Sequence, residues 1–85
     1  MEVEVIDSSP SNIVVTTSGR RFPALVIQGD TFHGWVTDLK AAVAMAQSNG
    51  QAALAEELEA IVETLEQRLA HYEAALAKHG IEKPY

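Results

Sequence analysis

The chain has no cysteine, so neither a disulfide nor a thiolate metal site can support it. Positive charge is scarce: six Lys and Arg stand against twelve Asp and Glu, a formal net charge of −6. The only adjacent basic pair is Arg20-Arg21. Nucleic acid and anionic membrane surfaces both demand a basic footprint, so neither is expected as a partner. Continuous apolar runs reach only a few residues, against the ~20 that a membrane span needs. The start, Met1-Glu2-Val3-Glu4, is acidic and alternating, unlike a secretory leader, and a cytoplasmic location is expected. No phosphate loop, metal-ligand spacing or nucleophile motif stands out, so neither an enzyme nor a cofactor is expected.

What is present is an ordinary globular composition, 47% apolar and 21% charged, in 85 residues. That length makes one domain with a thin core. Chains of this size commonly gain support from disulfides, metals or a second subunit. With disulfides excluded, self-association becomes the leading expectation.

Residues 2–7 alternate polar and apolar, placing Val3 and Val5 on one strand face. Ser8-Ser9-Pro10-Ser11-Asn12 is turn chemistry, and Ile13 to Thr17 is a wholly β-branched second strand. After Ser18-Gly19, Arg21 to Gln28 reads as a third strand, with Pro23 restricted to its start or to an edge. Both faces of that strand are apolar: Phe22, Ala24 and Val26 on one, Leu25 and Ile27 on the other. Short turns between the strands predict an antiparallel meander over residues 1–29.

Two helices are predicted next, over 30–48 and 52–79, with a tail at 80–85. Asp30 or Thr31 is suited to cap the first. Phe32, Trp35, Val36, Leu39, Val43 and Ala46 form its core stripe. Its other face is small and uncharged, with Gly34, Thr37, Ala41 and Met45 open to the close approach of another backbone. The second helix carries Leu54, Leu58, Ile61, Leu65, Leu69, Tyr72 and Leu76, an eleven-residue spacing that predicts a nearly straight rod. At ~1.5 Å per residue it is too long for a small sheet to cover. Asn49 or Gly50 suits a left-handed cap on the first helix, and Gly80 fits the end of the second. The fold class is α+β: a three-stranded antiparallel meander followed by two helices packed on it, the second long (β-β-β-α-α).

Two blocks, Arg20-Arg21-Phe22-Pro23 with Val26 to Asp30, and His71-Tyr72-Glu73 with Leu76, His79-Gly80-Ile81 and Pro84-Tyr85, carry a resemblance. They resemble a family of short uncharacterised bacterial proteins, a domain of unknown function. That resemblance implies no chemistry. Locally, the strand end Gln28-Gly29-Asp30-Thr31 before an amphipathic helix is also similar to the strand-to-helix turn of HicB-type antitoxins.

Arg20 and Arg21, with Trp35, are candidates for binding an anionic ligand, because guanidinium forks hold carboxylates and phosphates. The plainer reading makes the arginines a solvated turn and Trp35 core. His71, Glu73 and His79 lack metal-binding offsets, and His79 suits a helix C-terminus without metal. Asp30 with His33 offers an acid–base pair only if capping does not claim Asp30. Glu56, Glu59, Glu63, Glu66 and Glu73 form a ridge opposite the Leu/Ile stripe, either a solvated face or a dock for a basic protein. The functional expectation is a non-enzymatic interaction module that works as a homodimer. The alternatives are an acidic inhibitor, antitoxin or immunity-type protein on a basic partner, and a small anionic-ligand binder.

Overall fold

The computed structural model describes residues 1–10 and 12–85. Ser11, in the expected first turn, lies outside the described residues. Strands β1 (Val3–Ser9), β2 (Asn12–Thr17) and β3 (Ala24–Val26) form one antiparallel sheet in the order β1-β2-β3. Helices α1 (Gly29–Ser48) and α2 (Ala52–Lys78) follow. The meander and the two helices are therefore as the residue pattern predicts.

β1 and β2 pair directly from Val3 opposite Thr17 to Ser9 opposite Asn12, with the register shifting between Val5 and Asp7. Ile6 is the extra residue of this bulge, which locally increases the twist of an edge strand. Val5, Val15 and Ala24 make one cross-strand row. Central in that row, Val15 is the one buried residue of the sheet, at 6% exposure. β3 is three residues long, shorter at both ends than the expected run from Arg21 to Gln28: Pro23, with no N–H to give a ladder, lies just before its start, and α1 begins three residues after its end.

The expectation that the helices pack on the sheet needs correction. Every residue of β1 and of β3 is exposed. Among the described residues, close backbone approaches run from strand to strand and from α1 to α2, with none from sheet to helix. The buried cluster of Val43, Ala46, Ala55 and Val62, with Leu39 and Leu58 against it, is entirely helical. The molecule is accordingly long, 47 × 31 × 25 Å, with a radius of gyration of 16.0 Å. A compact chain of this length would have a radius of about 12 Å.

The helices form an antiparallel hairpin, and its seam differs from the expected stripes. On α1 the covered positions are Gly29, Phe32, Val36, Leu39, Val43 and Ala46. On α2 they are Ala55, Leu58, Val62, Leu65, Leu69, Tyr72 and Leu76. Both series alternate steps of three and four, the seven-residue repeat of a coiled-coil seam, not an eleven-residue one. Ala55 and Val62 enter the seam in place of Leu54 and Ile61, and Trp35 lies outside it. The apolar arc of α2 is wide enough to satisfy either period. The partner helix decides: its own three-four spacing selects the matching row, and small Ala55 against Ala46 lets the backbones approach.

Capping also departs from expectation. α1 starts one residue early, at Gly29, with Gln28 as the cap residue and no side-chain cap. The Phe32 amide donates to the Gln28 carbonyl at 2.9 Å. Asp30 therefore lies inside the first turn, where its carboxylate accepts from the Thr31 amide and its charge complements the helix dipole. Both C-termini close as predicted. Gly50 and Gly80 take φ of 70° and 67°, and the next residues, Gln51 and Ile81, donate back to Ala46 and Leu76. This arrangement satisfies the last carbonyls and requires a residue free to be left-handed.

Candidate functional site

The hairpin has two long edges, and they are chemically different. Along one edge α1 presents His33, Lys40 and Gln47, and α2 presents Glu59, Glu66 and Glu73, each set spaced by seven residues. Gln47 Nε2 donates to Glu59 Oε1 at 2.8 Å, and Lys40 Nζ lies 3.8 Å from Glu66 Oε1. At the third rung a tail residue intervenes. The Tyr85 ring stacks on His33, with centroids 3.7 Å apart and planes at 11°, and its hydroxyl donates to Glu73 Oε2 at 2.7 Å. Lys83 Nζ lies 4.0 Å from the same carboxylate oxygen and 5.9 Å from the Tyr85 ring centroid. Polar pairs thus close this edge from end to end. Each exposed pair is worth ~0.2–1 kcal/mol, so the ladder chiefly fixes register and orientation.

Desolvation of the Tyr85 phenol comes first, then the hydrogen bond to Glu73 and its charge, and together they push it up to about 12. It therefore stays neutral and keeps donating well above the usual phenol range.

Beneath this latch Tyr72 lies against the backbone of α1. A Cβ added to Gly29 would fall within the Tyr72 ring. Gly29 is therefore needed for close approach, not for a left-handed backbone, since its φ is not positive.

The other edge is open. α1 contributes Trp35, Ala42 and Asn49, and α2 contributes Leu54, Ile61, Arg68 and Ala75, again at seven-residue intervals. Trp35 is 52% exposed, Leu54 48% and Ile61 51%. Met45, one turn outward on α1, is 67% exposed. Neither helix places an acidic residue at these edge positions, and the single charge is Arg68.

The expected ligand residues do not converge. Arg20 and Arg21 line a shallow cleft with Thr17, Gly19, Phe22 and Ala24 beside the β2–β3 turn. Trp35 lines a different one, with Pro10, Asn12, Leu25 to Gln28 and Thr31, where the sheet meets α1. The Arg21 guanidinium lies 5.2 Å from the Phe22 ring centroid, and among the described residues neither arginine makes an ion pair. Gly34, Thr37, Ala41 and Met45 share the outer face of α1, as expected; all but Gly34 are exposed.

The glutamate ridge is not opposite the seam. Glu59 and Glu66 border it on the ladder edge, and Glu59, Glu63 and Glu66 line a shallow groove with Val62, Gln67 and Ala70. The ridge was misplaced for the same reason as the stripe, a seam taken one residue too early on α2. Asp30 and His33 form no pair, since one engages the Thr31 amide and the other the Tyr85 ring. Among the described residues no three His, Asp or Glu side chains are grouped to hold a metal ion. No helix is long and apolar enough to cross a membrane.

The model of a family of unknown function, DUF6959, matches residues 1–85. The chain belongs to that family. No curated protein and no solved structure matches it. In this DUF6959 chain the two sequence blocks that carried the resemblance are neighbours in space. Gly29 of the first lies under Tyr72 of the second, and His33, four residues beyond Gly29, stacks on Tyr85, whose hydroxyl donates to Glu73. The Gly29 end of the first block and the second block thereby acquire a structural account, since they build the end of the hairpin nearest the sheet, while Arg20-Arg21-Phe22-Pro23 stays exposed beside the β2–β3 turn. Sequence reasoning missed the open edge and the Tyr85 latch. The signal for both was the matching seven-residue spacing of 33, 40 and 47 against 59, 66 and 73.

Proposed function

We propose that this chain is a non-enzymatic protein-interaction module that works as a homodimer. The observation that carries the reading is surface. The accessible area is 6771 Å² for a chain of 9.2 kDa. A compact monomer of that mass exposes about 4,900 Å², leaving an excess of about 1,800 Å². A standard stable interface takes about 800 Å² from each partner, so the excess is large enough for an extensive one. Its composition agrees, since Val3, Val5, Ile6, Phe22, Leu25, Trp35, Met45, Leu54 and Ile61 are all exposed. A three-stranded sheet without a covering layer is also marginal alone. A second copy is favoured as the partner because the edge row of Trp35, Ala42, Leu54 and Ile61 holds no acidic residue in a chain of net charge −6.

The test is sedimentation equilibrium from low to high micromolar concentration. A dimer mass is expected, and a monomer throughout removes the reading.

A second reading, an acidic inhibitor or immunity-type protein on a basic partner, draws on Glu56 and Glu63, which make no hydrogen bond or ion pair among the described residues. Capture of a basic partner that weakens steeply with salt would favour it over self-association. The anionic-ligand reading needs Arg20 and Arg21 to act without Trp35, and thermal-shift screening with phosphate and dicarboxylates tests it.

A further inference from the structure

We infer that the open edge of the hairpin is where the second copy sits, so that two hairpins join edge to edge into a four-helix bundle with the sheets at its periphery. This rests on the homodimer reading and names the surface that serves it.

The two edges of the hairpin differ in chemistry. One is closed by the Gln47–Glu59 and Lys40–Glu66 pairs and the Tyr85 latch. A second hairpin there would have to bury carboxylates, which costs several kcal/mol per ion unless each is paired. The opposite edge offers Trp35 and Ala42 on α1, and Leu54 and Ile61 on α2, one heptad apart in each helix. One heptad is ~10.5 Å along the axis, the repeat at which side chains of a facing helix interdigitate. The positions that flank a two-helix seam become core when two hairpins combine into a bundle. The edge row itself holds no acidic residue, and the exposed Asp38 and Glu57 flank it on the solvent side.

One further observation agrees: the competing surface, the sheet, is too small. Three strands at ~4.8 Å spacing and six residues at ~3.4 Å give a face of roughly 14 × 20 Å, which leaves most of the excess area unaccounted for.

The experiment compares the full chain with Ile61→Glu, Ala42→Glu and Val5→Glu by sedimentation equilibrium, with far-UV circular dichroism confirming unchanged helicity. Ile61 is exposed and lies outside the hairpin seam, so the single-chain fold tolerates Ile61→Glu; Ala42 is half-buried beside the seam, so its variant is read together with its urea unfolding midpoint, which must match that of the wild type. The expected result is a dimeric wild type, at least a hundredfold weaker association in Ile61→Glu and Ala42→Glu, and a Val5→Glu variant that still dimerises. A wild type that dimerises while Ile61→Glu and Ala42→Glu retain its affinity overturns the assignment of the edge and leaves the homodimer reading standing. Loss of the dimer in Val5→Glu overturns it as well, by moving the interface to the sheet. A monomeric wild type removes both.

Discussion

Gly29→Ala tests the packing at the hairpin's end most directly. Alanine is ordinarily better than glycine in a helix by about 1 kcal/mol, so helix propensity alone predicts a gain. The geometry predicts the opposite sign. The new Cβ would occupy the space of the Tyr72 ring tip. The ring must then swing off the α1 backbone or the helix start must move, and overpacking of this kind costs ~1–3 kcal/mol. Gly29 and Tyr72 are both half-buried, so part of the strain is relieved toward solvent. A net destabilisation of about 1–2 kcal/mol is expected, or roughly 4–15 °C in Tm for a domain of this size. The assay is urea denaturation at one fixed protein concentration, because dimerisation makes stability concentration-dependent. A double-mutant cycle makes the reasoning refutable. In a Tyr72→Ala background the steric conflict is gone, and Gly29→Ala should then stabilise by up to about 1 kcal/mol. If Gly29→Ala stabilises the wild type as much as it stabilises Tyr72→Ala, the close approach does not constrain the helix start and the argument fails.

Three further outcomes follow from the same geometry. Leu69→Ala should cost ~2–5 kcal/mol and Leu54→Ala less than about 1 kcal/mol in the monomer range, and equal costs in denaturant unfolding would contradict the heptad seam. Gly80→Ala and Gly50→Ala each place a side chain at positive φ and should lose about 1 kcal/mol, visible as lowered urea midpoints; unchanged midpoints would show that the left-handed caps are not needed. The Tyr85 phenol, held up to about 12, should titrate by ultraviolet absorbance above the usual value of 10, and Glu73→Gln should bring it down. Because its folded value is raised, the contribution to stability is complete below pH ~10 and is lost as pH rises toward ~12, so a gain in that window would reverse the sign.

The glycines at helix ends, the β-branched second strand and the restriction of Pro23 to a strand start were all legible in the residues, because each is a local property of φ, ψ or propensity. The seam of α2 was not. Leu54 with Ile61 and Ala55 with Val62 lie one residue apart in the same apolar arc. The larger side chains attract a sequence-based choice, while a facing helix prefers the row whose small members let it come close. The same one-residue rotation moved the glutamates from an outward face to the border of the seam. It also placed Trp35 on an edge instead of in a core. The candidate site suffered most, because it consists of positions that a single amphipathic helix cannot rank until it has a partner.

What the chain by itself determined is the set of elements and the stops of its helices: three strands, two helices, left-handed glycine stops, an acidic surface and no cysteine. Those follow from steric and electrostatic preferences within a few residues of each position. Only the tertiary structure decided which helical row faces inward. It also decided that the sheet is left uncovered and that Gly29 serves Tyr72 and not a turn. These depend on which two surfaces meet at close range, and that is set by the fit between residues some forty positions apart.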